Sequence, residues 1–315
     1  MPDGAALGPA QQLEEVRPEI WLRGQPPLAD FLKFIRDKTI GGAALSAKAL
    51  ADDWREANDY YYELEQTEAG IADAIECLPL DPSLEPLAAE VAADARFRRT
   101  YDSLPTEFGM VELDRLVAFQ PHVTVPFVEA AMAKLGPAPD PERLFRFCQP
   151  LGRPDAPVRV QRLGSRRYLL SSVSADLRFH EAALLGPDQI SGYEPYGPLG
   201  MVIGLAVGYG SNFLNVIRDE DKRILLHNGY HRAVAMRRLG ITHAPCIIQT
   251  VTRRDELAVA ASSSVVENAT FYFGAKRPPL LKDFFDPRIR TVLQVKRMRS
   301  YVEVQFEIRE FEAAE

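Results

Sequence analysis

The stretch Arg223–Val251, RILLHNGYHRAVAMRRLGITHAPCIIQTV, constrains what this chain can fold into more than any other. Ile224–His227 is a short apolar run, long enough for a buried strand and too short for a helix. Asn228-Gly229 breaks it. Tyr230–Leu239 then has the spacing of one helix, closed by Gly240 where a left-handed residue is wanted, with Ile241 able to fold back on Met236. Ala244–Val251 resumes as a second apolar strand. Strand, glycine turn, helix and strand predict two parallel strands of one sheet joined by a right-handed crossover. The helix start leaves backbone N–H groups and the positive end of the dipole free, which suits an anion. His231 and Arg232 stand in that first turn and can donate to phosphate oxygens, the guanidinium in bidentate fashion.

The run Asn228-Gly229-Tyr230-His231-Arg232, with Ala233, Ala235 and Leu239-Gly240 after it, resembles the signature of the ParB/sulfiredoxin-like superfamily. Val111–Val117 followed by Gln120-Pro121 is similar to the opening strand and turn of such domains. The resemblance spans roughly Phe108–Val251, with a long insertion between its halves. It implies an α/β (α+β) fold with a ParB/sulfiredoxin-like core and phosphate binding at Asn228, Gly229, Tyr230, His231 and Arg232, with Gln120 and His122 nearby. Sulfiredoxins place a catalytic Cys directly before His-Arg. Tyr230 stands there in this chain, which points away from peroxiredoxin repair. The Gly-x-His-Arg form is closer to the free-serine kinases of the superfamily.

The implied function is therefore a nucleotide- or phosphate-binding protein, in its enzymatic form an ATP-dependent phosphotransferase on a small molecule or a nucleotide hydrolase. ATP or another nucleotide with Mg²⁺ is the expected cofactor, and His231 and Glu112 are the candidate catalytic residues. Loss of Arg232 is expected to weaken ligand binding with little effect on stability. Two alternatives stay open: a nucleic-acid-associated ParB-like protein, CTP-binding or nuclease-like, and a non-catalytic adaptor acting through its helical module.

Charge bears on that choice. A net charge of −7 over 315 residues argues against a general nucleic-acid binder. Residues 51–115 hold 17 acidic side chains against 5 Arg, whereas 276–300 hold 8 Lys and Arg against Asp283 and Asp286. The acidic segment offers a surface for an oligomer or protein partner, and the basic one a surface for nucleic acid. Asp219-Glu220-Asp221 reads as a hairpin turn, not a metal cluster. No apolar run is long enough for a membrane span and no signal peptide is evident, so the expected location is the cytoplasm. Cys77, Cys148 and Cys246 form no CxxC pair and indicate neither zinc nor a disulfide framework.

Three regions follow from the chain order. Residues 1–105 read as an arm, with Pro18–Leu32 laid on the body, and an acidic helical module. The module pairs a helix capped by Ser46 and bent at Gly70 with a second over Ser83–Tyr101. Residues 106–252 read as the core, carrying a hairpin at Gly164-Ser165 and a long loop over Gly186–Gly200. Residues 253–315 read as a helix from Thr252 to about Val266, then a β-hairpin pairing Thr291–Val295 with the alternating strand at Val302–Ile308.

Overall fold

The computed structural model describes residues 16–25, 27–152, 157–174, 176–297 and 299–314. Helix makes up 37% of the chain and strand 28%, which places it in the mixed α/β class. The region expected as a surface arm forms strand β1 (Val16–Leu22) and helix α1 (Leu28–Lys38). Helix α2 (Ala47–Thr67) begins as expected, with Ser46 Oγ accepting the Ala49 N–H and Ala57, Tyr61 and Leu64 turned inward. It stops at Thr67 instead of bending, and Gly70 redirects the chain with φ of 77°. After β2 (Leu78–Pro79) come α3 (Glu85–Ala93) and α4 (Ala95–Tyr101). The single helix expected there is cut at Asp94, whose extended backbone lets its carboxylate accept the Arg96 N–H. Then follow β3 (Thr106–Glu112), β4 (Val117–Ala118), β5 (His122–Thr124), α5 (Val125–Leu135) and α6 (Pro141–Cys148).

The insertion supplies β6 (Arg159–Gly164), β7 (Arg167–Ser172), β8 (Leu177–Leu185) and β9 (Val202–Tyr209). Next come β10 (Asn215–Arg218), β11 (Ile224–Asn228), α7 (Tyr230–Arg238) and β12 (His243–Thr250). The single helix expected from Thr252 is α8 (Arg254–Ala260) and α9 (Ser263–Glu267), and the apolar segment after it is a short helix, α10 (Ala269–Gly274). Strands β13 (Arg290–Lys296) and β14 (Ser300–Gln305) end the described structure. Contacts divide the chain into two compact units: Met1–Leu151 with Ser211–Arg297, and Gly152–Gly210 with Met298–Glu315.

The first unit holds a six-stranded sheet in the order β2-β3-β12-β10-β11-β4 and a three-stranded sheet β13-β1-β5. β10 pairs antiparallel with β11 and parallel with β12, so the two strands flanking α7 run in opposite senses. The expected parallel crossover is thus corrected. β11 is paired to its own hairpin partner, and Asn215 stands opposite both Asn228 and Ile247. β12 therefore starts beyond the end where α7 begins, and nine helical residues suffice for the connection. The helix end is as expected: Gly240 has φ of 82° and the Ile241 N–H bonds the Met236 carbonyl at 3.0 Å.

Two further expectations are corrected. The C-terminal hairpin does not form, because β13 pairs with β1 in the first unit while β14 pairs with β7 in the second. The acidic helices are not one hairpin module either. α2 supplies Tyr61 and Leu64 to the main core, whereas Val91 and Tyr101 join a separate cluster with Phe145 and Phe213.

The basic segment also turns inward in part. Arg277 is 1% exposed and donates to both oxygens of buried Asp283, at 2.6 and 2.7 Å, and to Glu68 at 3.0 and 3.1 Å. Its fifth N–H reaches the Pro278 carbonyl, and the Leu280 N–H and the Tyr61 hydroxyl complete the Asp283 carboxylate. Removing one partner of such a cluster strands the other charge in a low-dielectric interior, a cost of about 3–5 kcal/mol. Arg277→Ala should therefore lower the melting temperature by many degrees. A variant melting like the parent would show that the cluster is not holding α2 to the 277–283 segment.

Candidate functional site

Strands β4 and β11 run parallel, with Leu225 beside Val117 and Leu226 beside Ala118. Their carboxyl ends, Phe119-Gln120 and Asn228-Gly229, therefore lie together at the edge of the sheet, the location where open α/β sheets accept ligands. Helices α5 and α7 both start here. Gly229 adopts φ of 104°, and a Cβ on it would lie 2.2 Å from Leu214 Cδ1, so no other residue fits without displacement. The Asn228 amide donates to the Ser211 and Phe213 carbonyls at 3.1 and 2.9 Å, fixing the turn to the start of β10.

The side chains that resemble a phosphate signature are engaged by the protein itself. The buried Tyr230 hydroxyl accepts the N–H groups of Phe119 and Gln120 at 2.9 and 3.3 Å and donates to the Leu226 carbonyl at 2.7 Å. His231 Nε2 accepts the Thr124 N–H at 3.0 Å, so its proton sits on Nδ1. Burial, with His122 and Arg232 adding like charge, lowers the His231 pKa to about 4, and the ring is neutral at pH 7. The Arg232 guanidinium is buried; Nη1 donates to the Phe147 and Cys148 carbonyls at 3.2 and 2.7 Å, and Nη2 is buried without a partner. These are the last carbonyls of α6, so Arg232 satisfies groups a helix end leaves open and opposes its dipole.

The neighbouring candidates divide. Gln120 Nε2 donates to the His122 carbonyl at 2.6 Å, and His122 stacks on Trp21 with ring centroids 4.5 Å apart. His122 Nε2 lies 4.0 Å from the Glu19 carboxylate, Nδ1 is buried without a partner, and burial lowers the pKa of the ring. These two residues are brought to the turn. Glu112 is not: it ends β3, faces Arg115 at 3.6 Å, and stands three strands from β11, roughly 14 Å away at the usual strand spacing. His227, at the end of β11, is held by Asn215 at 3.1 Å, and burial lowers its pKa. Sequence reasoning missed Glu19, Trp21 and Phe119. Phe119 packs against Tyr230 and Tyr272, and the short apolar run Ile20-Trp21-Leu22 was the available signal for a strand.

The backbone is treated differently from the side chains. Ser46, Asp94 and Asp140 cap α2, α4 and α6 with side-chain oxygens; α7 starts on Gly229 with no side-chain cap, as do α1, α3, α8, α9 and α10 at their own starts. Helix α5 likewise starts on Thr124 without one. Among the described residues, no group of His, Cys, Asp and Glu could hold a metal ion, and no helix is long and apolar enough to cross a membrane. Comparison with protein-family models, curated proteins and solved structures found no match.

Two outcomes follow. The unfolded imidazole titrates near 6.5 and the folded His231 near 4, so the unfolded chain binds more protons between these values. The stability from this site is complete above about pH 6.5 and falls by roughly 2–3 kcal/mol as pH drops toward 4. His231→Gln keeps an acceptor for Thr124 and should flatten this part of a melting-temperature profile; an unchanged slope would assign the titration to other groups. For Arg232, the geometry corrects the expectation of near-normal stability, because its guanidinium bonds buried carbonyls. Arg232→Ala should cost about 1.5–3 kcal/mol in denaturant unfolding, the value of charge-assisted bonds to buried carbonyls.

Proposed function

We propose that this chain is a nucleotide- or phosphate-binding protein of the ParB/sulfiredoxin-like kind, holding phosphate at the start of α7. The observation that supports this is the bare helix start itself. It begins on a glycine with φ of 104°, has no side-chain cap, and opens at the carboxyl ends of two parallel strands. In this reading the donors are the backbone N–H groups of Tyr230, His231 and Arg232, aided by the dipole. The side chains of those residues hold the turn in shape. The neutral His231 ring and the Arg232 guanidinium on α6 suit positioning, not direct neutralisation of phosphate.

The enzymatic form of this reading is ATP-dependent transfer of a phosphoryl group to a small molecule. Such transfer relies on positioning and charge neutralisation, and Mg²⁺ supplies the latter when bound. With no protein metal cluster among the described residues, the ion would arrive on the phosphates. Glu112 is too remote to activate an acceptor, and Glu19 with His122 is the titratable pair beside the turn. A nucleotide ligand and the free thiols of Cys77, Cys148 and Cys246 suit the cytoplasm.

The adaptor reading draws on the same geometry: Tyr230, His231 and Nη1 of Arg232 all bond to the protein itself, which a degenerate site would also show. Calorimetry against ATP, CTP and GTP with Mg²⁺ separates the two. Binding should be displaced by pyrophosphate, and ligand at a hundred times its Kd should add about 2.7 kcal/mol of stability. Absence of heat with all three nucleotides would leave the adaptor reading standing and remove the nucleotide and its Mg²⁺ together.

A further inference from the structure

Strands β8 and β9 of the second unit form a two-stranded ribbon, and among the described residues no other strand pairs with either. Residues directly opposite in an antiparallel pair share a face. The register sets Leu184 opposite Ile203, Ala182 opposite Leu205 and Phe179 opposite Val207, and the bulge between Phe179 and Glu181 keeps the last pair in phase. All six residues therefore lie on one face, and none is charged. Arg178 and Glu181 stand opposite Gly208 and Ala206 on the other face.

An antiparallel sheet with one solvated face normally turns its apolar side to a core. This ribbon does the reverse. Leu184 is 68% exposed, Ile203 71%, Phe179 49% and Leu205 45%, whereas Ala183, Leu185, Val202 and Gly204 on the other face are half-buried. The apolar face is covered at its base, where Leu177 is buried and the hydroxyl of its partner Tyr209 bonds Ser172 Oγ at 2.8 Å. Beyond that pair it runs on uncovered. Single apolar side chains at a surface need no explanation. A continuous apolar face does, above all on a two-stranded ribbon, which is marginal by itself in water.

Size and charge select the cover. Two strands over the span from Phe179 to Leu184 give a face of about 10 by 20 Å. Two such faces stacked remove on the order of 800 Å² from water, below the roughly 1,200 Å² of lasting complexes and within the range of transient ones. From Phe179 to Ile217 the chain has no Lys or Arg, and the loop at the ribbon tip carries Asp188 and Glu194, which disfavours an anionic lipid surface. Near the base stands Arg159, opposite Ser171 and without a carboxylate partner among the described residues. Two ribbons stacked about a two-fold axis, with tips pointing in opposite directions, bring the acidic tip of each toward Arg159 of the other. We propose that this face packs on the same face of a second copy of the chain, giving a reversible dimer through Phe179, Leu184, Ile203 and Leu205. The α7 reading does not depend on it, and failure here leaves that reading untouched.

The test is sedimentation velocity of the full chain between about 10 and 500 µM, over which the mean mass should rise toward that of a dimer. Leu184→Glu combined with Ile203→Glu puts two charges on one cross-strand pair of the face. Both positions are exposed, so the melting temperature of the dilute protein should hold. The association constant should fall at least about tenfold, because a charge carried unpaired into an apolar contact loses its hydration. Ala206→Glu, exposed on the opposite face, should leave association unchanged. A chain that stays monomeric at the highest concentration would overturn the proposal, as would a double variant that associates like the parent. Ala206→Glu separating the copies as fully as the double variant would overturn the assignment of the face.

Discussion

The Tyr230 hydroxyl is the point on which the α7 turn depends. Its three hydrogen bonds link the chain leaving β4 to the carbonyl of Leu226 in β11, so one phenol closes the carboxyl ends of two strands far apart in sequence. Burial raises its pKa strongly, and it stays a neutral donor and double acceptor at any physiological pH. Without it, two N–H groups and a carbonyl would be left in a half-buried junction, each carrying a desolvation cost. The helix start that follows is held open because this residue faces inward and leaves the outer side to backbone.

What could be read from the chain divides by the range of the interaction concerned. The α7 end was legible because Gly240 and Ile241 act within one turn of Met236. So was the Ser46 cap, which acts over three residues. Strand β1 was not. It contains Pro18, which argues against a central strand, yet β1 is central in β13-β1-β5. Pro18 is tolerated because β5 pairs only from Glu19 onward, leaving the position of the missing N–H beyond that ladder. Strand direction was equally hidden: no local feature of Arg223–Val251 shows that β10 lies between β11 and β12.

Charge was the least legible property. The run 276–300 reads as a solvated basic surface, but Arg277 is folded onto Glu68 and Asp283, and Lys282 joins Glu68 at 2.7 Å. The partner that decides its fate lies 209 residues earlier, at the end of α2. The arginines of β6, unremarkable in a count of residues, remain exposed because that strand is an edge. Burial of a charge is thus set by which carboxylate the fold brings near, and net charge over a window does not report it.

A division of labour between side chain and backbone follows at the α7 turn. A side chain in the first turn of a helix can serve the scaffold or the ligand, and here Tyr230, His231 and Arg232 all serve the scaffold. The N–H groups of the same residues are left without a side-chain cap. An anion held by backbone places no direct demand on residue type beyond Gly229, whose φ and close contact with Leu214 exclude a Cβ. The demand on Tyr230, His231 and Arg232 comes instead from Leu226, Thr124 and the end of α6, which they keep in place around the turn. In the phosphate reading proposed above, the chemistry would reside in amides that every sequence has, while the residue types at 230–232 answer to packing.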